Sequence, residues 1–314
     1  MAFRLSAHGA LGDEFLRVIR QTIDGGCEKT KPGLPLADRI HRARTTCKKL
    51  RAALRLVREV DPDLIRREDR VFQDAAHAIG RFRDADAVIA AHGLLFSPAH
   101  ERPAPRESSA IRRRLVAHRA QLIRTKGETG RAFAAFHAQL RGARRRFNAR
   151  SFQGVKFSTV ASGWADTYRE ARQAMKWADK KGDASSFHRW RRRSKTHGYH
   201  CRLLRKAWPG VMQRLGKEVE ALGELLGQEH DLVLLSDFLR AKEQRDLPAA
   251  PRAALLTLIA TRRRELQRAA RDRGRRIYAD SPATVECRLR RWWKVARHKA
   301  GRAAAQRGRR PTRS

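Results

Sequence analysis

Two histidines of this chain are each followed by an arginine at the third position and a lysine at the seventh: His41-x-x-Arg44-x-x-x-Lys48 and His188-x-x-Arg191-x-x-x-Lys195. Residues three and four apart share one face of a helix. The spacing therefore points an imidazole, a guanidinium and an ammonium the same way. That set suits phosphate oxygens, which the guanidinium meets as a fork and the ammonium as a point charge. It lacks the parts of a reaction centre, since the sequence puts no nucleophile beside either histidine and no pair of carboxylates for Mg²⁺. The chemistry these residues offer is anion binding without catalysis.

The two motifs belong to a longer duplication. Residues 40–88 and 187–235 align without a gap, and the matched identities include Arg55/Arg202, Arg58/Arg205, Pro62/Pro209, Gly80/Gly227 and Asp84/Asp231. In the first copy Ile40, Ala43, Cys47, Leu50, Leu54 and Val57 form a core-facing seam, and His41, Arg44, Lys48, Arg51, Arg55 and Arg58 form a row beside it. One residue of offset puts that row about 100° around the helix. In the second copy the seam is Phe187, Trp190, Ser194, His197, Cys201, Leu204 and Trp208. Its row is His188, Arg191, Lys195, Arg202 and Arg205, interrupted by Gly198. Like charges at this spacing destabilise an isolated helix. Periodicity alone allows either a solvated arginine-rich face or a row neutralised by a linear polyanion, and the duplication favours the polyanion.

Composition agrees. The formal net charge is +39, with 71 Lys and Arg against 32 Asp and Glu in 314 residues. Acids are absent from 39–58, 108–127, 129–165 and 184–217, and after Glu286. An excess of this size implies a polyanionic partner, while 41% hydrophobic residues suffice to fold the basic stretches around a core. The cysteines, Cys27, Cys47, Cys201 and Cys287, form no C-x-x-C pair and read as reduced thiols of a cytoplasmic protein. The first residues lack the apolar run of a signal peptide, and no stretch is long enough to span a membrane. His197, His200 and Cys201 share a helical face but have no fourth ligand nearby, so no metal and no cofactor is expected.

The chain reads as all-α, with apolar residues at steps of three and four. Helices are expected at roughly 5–24, 36–60, 63–95, 106–148, 157–181, 184–208, 210–243, 250–278 and 283–300. Gly25-Gly26 is read as the end of the first, and Asp61-Pro62 and Trp208-Pro209 as breaks at equivalent places. Ser97 to Pro105 reads as a loop, Phe147 to Gly154 as the join between halves, and Gly301 to Ser314 as a disordered tail. This divides the chain into 1–150, 151–280 and 281–314. In the last part Trp292-Trp293 sits among arginines and lysines, a set that can bind a membrane surface or nucleic acid. The alternative, which an apolar stripe favours, is that Val285, Leu289, Trp292 and Ala296 form a face that docks on the second half.

The doubled motif resembles that of the conserved histidine α-helical domain (CHAD) family, whose signature is a histidine followed at +3 and +7 by basic residues in each of two repeats, with an aspartate closing the next helix. Here these are His41, Arg44, Lys48 and Asp84, then His188, Arg191, Lys195 and Asp231, with Gly80-Arg81-Phe82-Arg83-Asp84 matched by Gly227-Gln228-Glu229-His230-Asp231. The resemblance covers roughly residues 8–280. It implies two four-helix bundles related by a pseudo-twofold, facing a groove that binds inorganic polyphosphate without catalysis and places the protein on polyphosphate granules. The binding set it implies is His41, Arg44, Lys48, Arg51, Arg55, His188, Arg191, Arg192, Lys195, Tyr199 and Arg202, with Asp84 and Asp231 orienting neighbouring side chains. This chain departs from the pattern at Gly198, where a basic residue is usual, and at Thr196 and His197. Tyr199 is retained, and Arg192 and Arg193 can compensate. The alternative is a nucleic-acid-binding, nucleoid-associated protein. Against it, the aromatics lie mainly on apolar seams, so stacking platforms for bases are lacking.

Overall fold

The computed structural model describes residues 3–96, 108–123, 126–241 and 249–308, with the side chains of 81–84, 108, 122, 123, 126, 127, 149, 150 and 303–308 excepted. The expected loop at 97–105 lies outside this set. Ten helices are described: α1 (Leu11–Glu28), α2 (Leu36–Arg55), α3 (Pro62–Leu95), α4 (Ser108–Ile123), α5 (Lys126–Arg146), α6 (Phe157–Lys181), α7 (Ala184–Leu203), α8 (Pro209–Arg240), α9 (Ala249–Ile277) and α10 (Pro282–Gly308). The fold is all-α, as the periodicity requires.

Three helix starts are capped by a side chain. Asp61 accepts the Leu64 amide at 3.1 Å ahead of Pro62, Asp183 accepts the Ser186 amide at 2.7 Å, and Ser281 accepts the Thr284 amide at 3.1 Å ahead of Pro282. Ends differ more. Gly25-Gly26 does not terminate α1, which runs on to Glu28. Gly26 instead lies where α1 crosses α2, so close to Thr46 that a β-carbon would sit 2.9 Å from its hydroxyl. Residues 3–10 are not helical, and the Leu5 amide donates to the carbonyl of Leu203 at 2.8 Å, capping the end of α7.

Both motif helices stop earlier than expected, at Arg55 and Leu203, because turns with short-range bonds follow, such as Leu56 N–H to Ala53 at 3.2 Å. Trp208 consequently falls off the seam and is 49% exposed, whereas the other seam residues of both helices are buried. The single helix expected over 106–148 is two. Ile111 and Leu115 of α4 pack with Val88 and Leu95 of α3 and with Leu235 and Leu239 of α8, whereas Phe133, Phe136 and Leu140 of α5 join α1 and α2. One straight helix cannot serve both cores. The segment at 147–154 forms a buried 3-10 turn, Ala149–Phe152, whose Phe152 stacks on Phe147 at 5.7 Å. The stretch from Gly301, expected to be disordered, is helical as far as Gly308, and 309–314 lie outside the described residues.

The helix α10 packs on α6, with a face rotated from the expected one. Leu289 and Trp293 are buried, and Trp293 stacks on Phe157 at 4.5 Å, while Trp292 is turned toward Trp208. The largest apolar core takes residues from both sides of residue 150, including Phe15, Leu50, Phe136, Trp164 and Leu203. Each such side chain contributes roughly 1.5–3 kcal/mol on burial. A like-charge pair along a helix costs only about 0.2–0.5 kcal/mol. Packing therefore dominates, and the basic rows can be carried on a stable frame.

Two seam positions of α7 are histidines. The His200 Nε2–H donates to the Ala52 carbonyl at 2.7 Å, which ties α7 to the last turn of α2. His197 is wholly buried among Trp164, Tyr168 and Tyr278, with no hydrogen-bond partner at either ring nitrogen. Burial pushes both imidazoles down to about 3. Between the ordinary histidine range and that value the unfolded chain binds protons that the folded chain refuses. Stability is therefore full above about pH 6.5 and falls with acidification, by about 1.4 kcal/mol per pH unit per histidine. His197→Leu removes one of the two contributions and also an unpartnered polar group. Urea unfolding from pH 7 to pH 5 is expected to show a shallower loss for this variant, with equal or greater stability at pH 7. A parental slope retained in His197→Leu would show that this ring is not held neutral by burial.

Candidate anion-binding groove

The helices α2 and α7 run past each other over a floor made by α3 and α8. Their basic rows meet across a cavity of about 380 Å³. Its walls are Arg44, Lys48, Arg51 and Arg55 from α2 and His188, Arg191, Arg192, Lys195 and Tyr199 from α7. Residues 147 apart in sequence thus line one groove. Through Arg44, His77, His188 and Arg191 it continues into a second cavity of about 680 Å³, bounded by Glu128 and Arg131 of α5 and His230 of α8. Of the expected binding set, nine line the first cavity and two line neither. His41 is exposed at the start of the α2 row, and Arg202 is exposed and paired with Glu220 at 2.5 Å. Asp231 is half-buried on α8 beside His230, and the Asp84 side chain lies outside the described residues.

The matched glycines explain how the matched arginines lie. A methyl group at Gly80 would overlap Nη1 of Arg44, and one at Gly227 would sit 3.7 Å from Nε of Arg191. Each arginine crosses the floor helix at a point where a side chain is missing. Lys195 does the same over Gly223, at 3.7 Å from its Cγ. Arg191 is only 8% exposed as a result.

The α2 row is not left to an external anion alone, as its sequence suggests. Asp69 of α3 holds Arg51 bidentately at 2.8 and 2.9 Å, with Gln73 at 3.0 Å from the same guanidinium. Glu170 of α6 pairs with Arg55 and with Arg193 at 3.1 Å, and Asp166 takes Arg58 at 2.7 Å. These carboxylates come from helices remote in sequence, so the acid-free run 39–58 hides them. The departure at Gly198 has its cause here too. Its repeat partner is Arg51, and the partner of Asp69 is Gly216. The second half has lost both ends of that ion pair. A β-carbon at Gly198 would lie 3.4 Å from Val219 and one at Gly216 3.4 Å from Cys201, so α7 and α8 close over the gap.

Arg193, read from the sequence as able to compensate for Gly198, lines the first cavity. Sequence reasoning missed three groups in the walls: His77 and Arg131 line the cavities, and His230 does so with its Nδ1 3.3 Å from Nδ1 of His188. The signal for His230 was its place two positions before the end of the repeated glycine-to-aspartate motif. Arg131 carried none beyond its acid-free surroundings. The groove is strongly positive. Burial, with Arg55 next, holds Arg193 below the usual guanidinium range. Burial, first, raises the Tyr199 phenol, which bonds Thr45 of α2 and remains a donor. Among the described residues no three His, Cys, Asp or Glu side chains converge as metal ligands, and the sequence triad His197, His200 and Cys201 is buried in the core. Burial raises the Cys47 thiol to about 12 and that of Cys201 further, which leaves both unreactive. No helix among the described residues is long and apolar enough to cross a membrane.

A family profile described as the CHAD domain matches residues 28–240. Among solved structures the chain is similar to the CHAD domain from the plant Ricinus communis, with 17% identity and a TM-score of 0.51, covering 92% of this chain and 95% of that one. No curated protein matches.

The glycine geometry gives a test. Gly80→Ala adds helix propensity worth about 1 kcal/mol on an interior helical position but displaces the Arg44 head. The variant is expected to melt no lower than the parent and to bind inorganic polyphosphate several-fold more weakly. Gly227→Ala leaves ordinary contact with Arg191 and is expected to bind as the parent does. Fluorescence titration of both variants checks this, and equal affinity in all three proteins would rule out seating of Arg44 by Gly80.

Proposed function

This chain is a member of the CHAD family, and on that premise we propose that it binds inorganic polyphosphate, without transforming it, in the groove between α2 and α7. The observation that carries the reading is the convergence of both repeats' cations on one cavity. A chain of phosphates is thin and flexible and carries about one charge per unit. It can lie in the groove with Arg44, Lys48, Arg192 and Lys195 donating from two sides. Arginine forks and lysine ammonium groups give charge-assisted bonds to such oxygens. A duplex is too wide to enter and would meet only the outer charges. In the absence of a nucleophile, the histidines serve as donors to phosphate. Among the described residues the first cavity has one carboxylate, Asp69, which is tied to Arg51, and so no acidic pair for Mg²⁺. Binding of this kind would hold the protein on polyphosphate granules.

The test is a competition titration of long-chain polyphosphate against duplex DNA at equal phosphate concentration and physiological salt. Polyphosphate is expected to displace DNA, with an affinity that falls steeply as salt rises. Stronger retention of DNA would instead assign a nucleic-acid function. The site is tested by Lys48→Glu with Arg192→Glu and Lys195→Glu, which reverse charges on groove walls and leave the buried Arg191 in place. A loss of at least a hundredfold is expected, with the helical circular dichroism intact. Arg307→Glu with Arg309→Glu and Arg310→Glu alters basic residues at the far end of the chain and is expected to cost only a few-fold, through screened long-range attraction. The reverse order of losses would displace the site from the groove.

A further inference from the structure

A separate cavity, about 770 Å³ in volume, lies between the turn joining α7 to α8, residues 6–8 of the N-terminal segment and α10. Its floor is apolar: Trp208, Trp292, Val295 and Ala296. Trp208 is 49% exposed and Val295 55% exposed, and the two indoles meet edge to face at 5.3 Å. Its rim is basic, with Lys206 on one side and Lys299 on the other. None of these residues lines the phosphate groove.

The inner part of the floor helps to hold α10: Trp292 is half-buried and packs on the main core beside buried Leu289 and Trp293, which stacks on Phe157. The outer part is not used in this way, and Trp208 and Val295 face water beside a helix that is already anchored. Exposed apolar patches rimmed by charge mark interaction surfaces.

Charge decides what can cover it. Among the described residues neither Lys206 nor Lys299 has an ion-pair partner. The chain has no acid after Glu286, so its own C-terminal residues would add only positive charge here. A second copy would bring the same lysines against these ones, on a protein of net charge +39. The occupant must therefore be acidic. Concavity argues for a segment of protein, because a flat bilayer cannot reach the floor between the two indoles. We propose that this cavity is a docking site for an acidic amphipathic segment of another protein. Two bulky apolar side chains, three or four positions apart, would seat against Trp208, Trp292 and Val295, and flanking carboxylates would reach Lys206 and Lys299. Helical segments recognised in grooves present anchors at that spacing.

The proposal is independent of the polyphosphate reading, and the experiment keeps them apart. Random 16-residue peptides displayed on phage are selected against the full chain in the presence of excess inorganic polyphosphate, which occupies the basic groove. Enriched sequences are synthesised, and their binding is measured by fluorescence anisotropy to the parent, to Val295→Asp, and to Lys206→Glu with Lys299→Glu. All three positions are exposed, so the fold is expected to survive, and circular dichroism checks it. The enriched peptides are expected to combine net negative charge with paired apolar anchors. They are expected to bind each variant at least tenfold more weakly, while polyphosphate affinity of Val295→Asp stays within twofold of the parent. Three results would overturn the proposal: no enriched family, acidic peptides without apolar anchors, or peptides that bind Val295→Asp as well as the parent. Phosphatidylglycerol vesicles that bind the parent and not Val295→Asp, with no peptide enriched, would assign the face to a lipid surface and overturn it equally.

Discussion

The structure has to bring two rows of cations face to face. Along one helix such a row costs a few tenths of a kcal/mol per neighbouring pair, and opposing a second row adds to the cost. Apolar packing meets it. The seams of α2 and α7 are buried beside the rows, each large side chain contributing more than one like-charge pair costs. His200 and Leu203 of α7 join that frame through backbone carbonyl contacts, His200 to Ala52 and Leu203 to the N-terminal segment. The groove is therefore a consequence of how the cores close, and its charges are held there by residues that carry none.

Carboxylates then set which cations face a ligand. Asp69, Glu170 and Asp166 engage Arg51, Arg55, Arg193 and Arg58, all toward the end of the α2 row. A paired arginine is a weaker anchor for an anion, but its fork is fixed in direction. At the centre, Arg44, His188 and Arg191 belong to both cavities, and Glu128 of α5 shares the wall of the larger one.

Much of this was legible in the sequence, for identifiable reasons. Helix class, the two seams and the rows beside them follow from steps of three and four, and the family follows from the doubled spacing of histidine, arginine and lysine. Nine of the eleven expected binding residues line the groove because the rows lie on one face of each helix. What was hidden depends on tertiary crossings. Gly26 looked like a helix end and is a close approach to Thr46, a distinction that needs the neighbouring helix. Trp208 continued the seam on paper, but α7 unwinds at Leu203 and turns it to solvent. The partners of Arg51, Arg55 and Arg58 come from α3 and α6, whose acids carry no periodic relation to α2. His230 and Arg131 reach the cavity only through the placement of α8 and α5.

The divergence of the two repeats shows what each half was free to change. Both keep the arginine at the centre and the glycine beneath it, Arg44 with Gly80 and Arg191 with Gly227. The dependence is strict only in the first half: a side chain at Gly80 would lift the Arg44 head off the floor, whereas Gly227 leaves room for a methyl group beneath Arg191. The outer pair behaves differently. Arg51 and Asp69 neutralise each other, so losing both removes no net charge, and Gly198 with Gly216 lets α7 and α8 approach instead. Loss of Asp69 alone would have strengthened the rim's positive field, and loss of Arg51 alone would have placed an unpaired carboxylate beside Lys48. Only the joint loss is electrostatically neutral. The break in the α7 row at Gly198 thus falls outside the centre, where Arg44 and Arg191 still face each other across the two cavities.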